Sequence, residues 1–126
     1  MSQPTQLTDE HLWMSVEAFR SERESDKGVV LLDVRGARAW EATDVAIPGA
    51  LRAYPELRID PRWPKDRLIL ALCNGSGQAT SALVARHLRE RGFREAYALI
   101  GGIEAWQSAG FPVELKSSLT LQAGRG

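Results

Sequence analysis

Short, continuous apolar runs alternate along this chain with segments whose apolar residues recur at helical spacing. Val29-Val30-Leu31-Leu32 has no polar alternation and ends on Asp33. Leu68-Ile69-Leu70-Ala71-Leu72 repeats that pattern and ends on Cys73. Runs of this kind predict strands buried on both faces, as in a parallel sheet. Residues 96–100 predict another strand, and residues 51–53 a short one after the turn Ile47-Pro48-Gly49-Ala50. Thr8-Asp9-Glu10 predicts the cap of a helix carrying Leu12, Val16 and Phe19, closed by the charged stretch 21–27 and Gly28. Residues 37–42 predict a short helix. A longer one starts around residues 78–80 and stops at Gly92, with Leu83, Val84, His87 and Leu88 as its buried stripe and Arg86, Arg89, Glu90 and Arg91 outside. Residues 103–108 predict a last helix, stopped by Gly110 and Pro112. The proline-rich stretch 54–65 is expected to be irregular.

Strands alternating with helices predict βαβ units and an α/β fold, with a central, mostly parallel sheet. Residues 9–115 are expected to form one domain, with 1–8 a flexible N-terminus and 116–126 a flexible tail. Trp106 and Phe111 are expected to cover the sheet, and Trp13 and Trp40 to anchor their own helices. Trp63 either anchors its loop or meets a partner.

The chain has 126 residues, enough for a single core. Lys plus Arg total 16, as do Asp plus Glu, so no net charge argues for a nucleic-acid or anionic-membrane partner. The one cysteine excludes an internal disulfide and a cysteine-based metal cage, and it suits a reducing compartment. The polar start MSQPTQLTDEH has no signal-peptide core, and no apolar run reaches the length of a bilayer span. The expectation is a soluble, cytoplasmic protein with no membrane or nucleic-acid partner.

Candidate chemistry lies in the order strand, Cys73, glycine-rich loop, helix. In open α/β sheets, ligands bind beyond the carboxyl ends of the strands. Asn74-Gly75-Ser76-Gly77 lets the loop curl with its backbone N–H groups inward, and the following helix adds the positive end of its dipole. Both features favour thiolate: a free thiol titrates near about 8.5, and a helix N-terminus brings it to roughly 3.5–7.5. The same cradle suits a persulfide or thiosulfonate. The competing reading is an inert buried thiol, which a Cys73 pKa at or above the ordinary value would favour. Thr80 or Ser81 is expected to cap the helix. His87, a turn or two from the loop at about 1.5 Å per residue, is expected to be a packed or rim residue. Arg35, Arg38, Arg52, Arg58 and Arg62 either lend the pocket a positive field or form a solvated surface, the latter being favoured.

Leu32-Asp33-Val34-Arg35, Ile47-Pro48-Gly49-Ala50, Leu72-Cys73 with its loop, Gly101-Gly102-Ile103-Glu104-Ala105-Trp106 and Gly110-Phe111-Pro112-Val113-Glu114 together resemble the rhodanese, or sulfurtransferase, family. The GGIEAW segment followed by AGFPVE carries most of that likeness. The resemblance implies helices on both faces of the sheet, and a cysteine that accepts a sulfane sulfur and passes it to a nucleophile. Cys73 is then the carrier. Asn74, Gly75, Ser76, Gly77, Gln78, Ala79 and Thr80 form the substrate-binding loop, and Asp33 and Arg35 support it. No metal or organic cofactor is implied. The implied partners are small sulfur donors and acceptors, or a protein thiol. The sequence departs from the family pattern where the loop 74–79 has no basic residue and where Gly75, Gln78 and Ala46 replace a second Cys, a Glu and a His. It is similar to a subgroup with an extended loop, and weak use of thiosulfate is expected. Two other functions compete. A cysteine-dependent phosphatase would need Arg where Ala79 stands, to grip a phosphoryl group. A non-catalytic rhodanese-like module, used for binding or for redox or sulfide sensing, suits the neutral loop.

Overall fold

The computed structural model describes residues 12–25, 28–53, 56–74 and 78–116. In chain order its elements are β1 (Trp13–Met14), α1 (Val16–Ser25), β2 (Val30–Asp33), α2 (Ala37–Glu41), β3 (Val45–Ala46), β4 (Leu51–Arg52), β5 (Ile69–Leu72), α3 (Gln78–Glu90), β6 (Ala96–Leu99), α4 (Gly102–Ser108) and β7 (Glu114–Leu115). The main sheet runs β1-β6-β5-β2-β4, with every pairing parallel. β3 and β7 form a separate antiparallel pair, Val45 opposite Leu115 and Ala46 opposite Glu114.

β5 is central because its run tolerates burial on both faces. All its residues are buried, and its side chains alternate between two cores. Leu70 and Leu72 face the layer holding Phe19 of α1 and Ile103 and Trp106 of α4. Ile69, Ala71 and then Cys73 face the opposite layer, with Leu88 of α3 and Phe93. The first layer is closed by an aromatic corner. Trp106 stacks on Phe111 at 4.6 Å and donates its indole N–H to the Pro112 carbonyl at 2.8 Å. Phe19 meets Phe111 edge-on at 5.5 Å.

The structure corrects the expected start of the chain. Leu12 is helical, but the expected helix is broken directly after it by β1, which pairs Trp13 with Ala98 on the otherwise open edge of β6. An unpaired strand edge needs partners for its backbone groups, and Trp13–Met14 supplies them. α1 starts only at Val16, where Ser15 Oγ accepts the Ala18 N–H at 3.0 Å. The cap expected at Thr8-Asp9-Glu10 lies outside the described residues, and Trp13 anchors a strand rather than a helix.

The buried side of α3 is also corrected. Val84 and Leu88 turn inward, half-buried and buried, but Leu83 is 66% exposed and His87 is exposed, while Ser81 and Ala85 are fully buried. The reason is close approach. α3 lies over β5 and β6, which present on that face, beside Ile69, the small and fully buried Ala71, Ala96 and Ala98. Small side chains on both surfaces set a short helix–sheet distance, and a leucine at that contact would hold the helix away.

Residue 116, placed in the tail by the sequence, is bound to the body. Its backbone N–H donates to the Asp44 carbonyl at 2.9 Å and its ammonium to the Trp40 carbonyl. Residues 1–11 and 117–126, which hold both expected flexible ends, lie outside the description. Within 56–65 no regular element forms. Trp63 anchors this stretch, half-buried and edge-on to Phe93 at 6.1 Å. Arg58 and Arg62 pair on the surface with Glu56 and Asp60.

The two leucines of α3 separate the expected face from the observed one. Leu88→Ala should cost about 2–5 kcal/mol in urea unfolding, and Leu83→Ala less than about 0.5 kcal/mol. Equal losses would mean that the helix is turned as the sequence alone suggests.

Candidate active site

Cys73 follows the last residue of β5, at the carboxyl end of the central strand. That end is registered against β2: Leu72 lies opposite Asp33, and the Val34 N–H donates to the Leu72 carbonyl at 2.9 Å. The thiol packs with Val34, Ala53 and Leu88 and leaves Cys73 only 2% exposed. Its S–H donates to the Asn74 side-chain oxygen at 3.3 Å. Thr80, in the first turn of α3, also hydrogen-bonds the sulfur.

Burial pushes the Cys73 thiol up from its ordinary pKa. The Asn74 backbone N–H, the Thr80 hydroxyl and the Arg35 charge act in the other direction, and the Asp33 carboxylate adds to the rise. The expected thiolate is therefore not what the surroundings favour. Thr80 and Ser81, expected as caps, lie inside α3 and not before it, and the bonds of Asn74 and Thr80 do not offset the loss of water around the buried sulfur. Of the expected substrate loop, Gly75, Ser76 and Gly77 lie outside the described residues. Gln78 and Ala79 open α3, and Thr80 is exposed on it.

Asp33 and Arg35 form a built ion pair beside this end of the sheet. Arg35 is 1% exposed, so its positive charge is spent inside the fold rather than on the solvated surface expected for it. Its Nη2 lies 2.7 Å from Asp33 Oδ2, and its Nε lies 3.1 Å from Oδ1. Nη1 donates to Thr43 Oγ1 at 3.1 Å, and Nη2 also donates to the Val45 carbonyl at 2.9 Å. Arg52 donates to the Asp33 carbonyl at 3.2 Å. Trp40 lies among three cations, with Arg35, Arg52 and Lys116 at 4.8, 4.6 and 4.3 Å from its ring. A cavity of about 260 Å³ opens against Asp33, Trp40, Ile47, Arg52 and Glu114, and Cys73 is not part of its lining.

A contact that the sequence reading missed comes from α4. The Ile103 N–H donates to the Cys73 carbonyl at 2.7 Å, and Gly102 lies flat against the Cys73-Asn74 peptide. The Gly101-Gly102 doublet was the visible signal, but the chain pattern marks it only as a turn. His87 is exposed on α3. Among the described residues, no group of three or more His, Cys, Asp or Glu could hold a metal ion, and no helix is long and apolar enough to cross a membrane.

The model of the rhodanese-like domain family matches residues 15–109. A thiosulfate sulfurtransferase GlpE of Coxiella burnetii is 31% identical over 93 residues, covering 74% of this chain and 83% of that protein. Its namesake in Actinobacillus succinogenes is 29% identical over 112 residues, covering 87% and 90%. Among solved structures, the rhodanese-like domain of the Alr3790 protein from Anabaena sp. superposes with a TM-score of 0.64 at 26% identity, covering 84% of this chain and 81% of that one. A Rhodopseudomonas palustris protein described as a possible tyrosine phosphatase superposes with a TM-score of 0.62 at 26% identity, covering 90% and 100%.

Two measurements test this geometry. Alkylation by iodoacetamide needs the thiolate, so a raised pKa means a rate that still climbs with pH beyond the ordinary thiol midpoint of about 8.5. A plateau below that pH would contradict the burial of the sulfur. Asp33→Ala strands a buried guanidinium and should cost about 3–5 kcal/mol in chemical denaturation.

Proposed function

This chain belongs to the rhodanese-like domain family, and on that premise we propose that it is a sulfurtransferase carrying a sulfane sulfur as a persulfide on Cys73. The observation that carries this reading is the position of the one cysteine. It stands at the carboxyl end of the central parallel strand, directly before the loop and helix where ligands of open α/β sheets bind. The named relatives, thiosulfate sulfurtransferases, support the same chemistry.

The reaction splits one transfer into two displacements. The Cys73 thiolate attacks the outer sulfur of the donor, a new S–S bond forms, and the donor's own bond to that sulfur breaks. With thiosulfate the bonding pair leaves on sulfite. A nucleophilic acceptor then attacks the terminal sulfur of the persulfide and takes it, and the pair of the broken S–S bond returns to Cys73. Backbone donors of residues 74–80 are the proposed cradle for the bound sulfur species, with Asp33 and Arg35 holding the strand end from which it hangs.

The donor is read from charge. The loop 74–79 has no basic side chain, and the Arg35 guanidinium is engaged with Asp33, Thr43 and Val45. A dianion such as thiosulfate gains little there, so a polysulfide or persulfide of lower charge is the better donor. The acceptor is a small thiophile or a protein thiol, and a protein with one free cysteine suits the reducing cytoplasm. Phosphoryl transfer is disfavoured by Ala79, which stands where a phosphate-gripping arginine is needed.

A second reading has its own observation. A thiol that is 2% exposed and pushed up in pKa also suits a binding or sulfide-sensing module that turns over slowly or not at all. Intact mass after exposure to polysulfide, and separately to thiosulfate, divides the two. The expected outcome is a gain of one sulfur atom, removable by cyanide, faster from polysulfide and absent in Cys73→Ser. A free thiol after both donors would overturn the carrier reading in favour of the module.

A further inference from the structure

We propose that Gly102 and Ile103 are positioning residues for Cys73: the first turn of α4 clamps the carbonyl end of the Cys73-Asn74 peptide, so that its other end, the Asn74 N–H, is held on the sulfur. Nothing in the likeness to known proteins assigns this role. It deepens the carrier reading and rests on it only for the consequence in turnover.

The clamp has two parts. The Ile103 N–H donates to the Cys73 carbonyl at 2.7 Å, a short bond for an amide. Gly102 provides the steric part. A Cβ on it would stand 2.1 Å from the Cys73 carbonyl oxygen and 3.0 Å from the Asn74 carbonyl carbon, and its φ of +61° is left-handed. Backbone meets backbone here, so no side chain can swing away to make room. Glycine is thus required by the space as well as by the dihedral.

A peptide is planar, so fixing its carbonyl fixes the direction of its N–H. That N–H belongs to Asn74 and is a donor to the Cys73 sulfur. The two bonds act on one peptide from opposite ends. A carbonyl that accepts a hydrogen bond polarises its own amide, which strengthens the bond that the amide makes in turn. Ile103, 5% exposed in the core layer beneath Trp106 and Phe111, ties this chain of bonds to the rigid side of the sheet. α4 thereby supports a thiolate that burial otherwise disfavours, without touching the sulfur.

Gly101 is the internal control. It too is left-handed, at φ +84°, and a Cβ on it would meet a neighbour at 2.6 Å, but that neighbour is the Ala105 side chain and not the Cys73 peptide. The experiment compares Gly102→Ala with Gly101→Ala in the full chain. Readouts are the pH profile of iodoacetamide alkylation and sulfur loading by intact mass. Both variants should lose thermal stability. Gly102→Ala should also move the alkylation profile to higher pH, with about tenfold slower alkylation at neutral pH for each unit moved, and slow sulfur loading in parallel. Gly101→Ala should keep the wild-type profile. Coincident profiles for both variants and wild type would overturn the proposal. If Gly102→Ala does not fold, the wild type decides by NMR: the Ile103 amide proton should titrate with Cys73, and a flat response through the thiol titration would overturn it. Wild type that loads no sulfur while the two glycine variants still differ in alkylation would sink the carrier reading and leave the clamp standing.

Discussion

A guanidinium removed from water needs its charge balanced and its N–H groups bonded, and Arg35 is almost wholly enclosed. Meeting that requirement shapes the whole β4 side of the molecule. The Asp33 carboxylate supplies the charge from the last residue of β2. Thr43 and Val45 supply acceptors from beyond α2, so the chain must bend around the guanidinium to deliver them. Trp40 on α2 covers one side of the ring of bonds. The bend sets β3 where β7 can pair with it, and Lys116 then reaches Asp44 and Trp40. On the other side, the Asp33 carbonyl receives both Arg52 and the Ala53 N–H, which fixes the end of β4.

The same strand end sets the cysteine. Asp33 lies opposite Leu72, so the ion pair and the thiol are held in one register by the β2–β5 ladder. The alternation of β5 then decides which core the sulfur joins. It falls on the side of Leu88 and Phe93, where little water remains, and that burial outweighs the donors around it. The site thus joins two demands that oppose each other. Packing at the sheet end shelters the sulfur, while chemistry on it requires a negative charge. Asn74 and Thr80 reduce the conflict locally, and α4, by holding the Cys73 carbonyl, extends the support into the aromatic core.

That arrangement also gives the GGIEAW segment and the GFP turn distinct physical parts. Trp106, Phe111 and Phe19 close one face of the sheet as a packed cluster, and the Trp106 indole is satisfied by the Pro112 carbonyl. The glycine that precedes them serves backbone contact instead of packing, because a side chain there would enter the peptide that carries the cysteine.

The sequence by itself determined the strand–helix order, the parallel α/β class and the place of Cys73 after a doubly buried strand. These are legible because an apolar run without alternation has few alternatives, and because Gly and Pro end elements locally. It also marked Trp106 and Phe111 as core and the 54–65 stretch, of which the structure describes 56–65, as irregular. Only the tertiary structure decided β1 and the β3–β7 pair, since two-residue strands exist by virtue of the edge they complete and leave no period of their own. It turned α3 so that Ser81 and Ala85 face the sheet in place of Leu83 and His87. Hydrophobicity ranks side chains by their cost in water, whereas a close helix–sheet contact selects them by size. The state of the thiol was decided at the same level. A loop pattern names the donors near a sulfur, but the water lost around it depends on Val34, Ala53 and Leu88, brought together from distant parts of the chain.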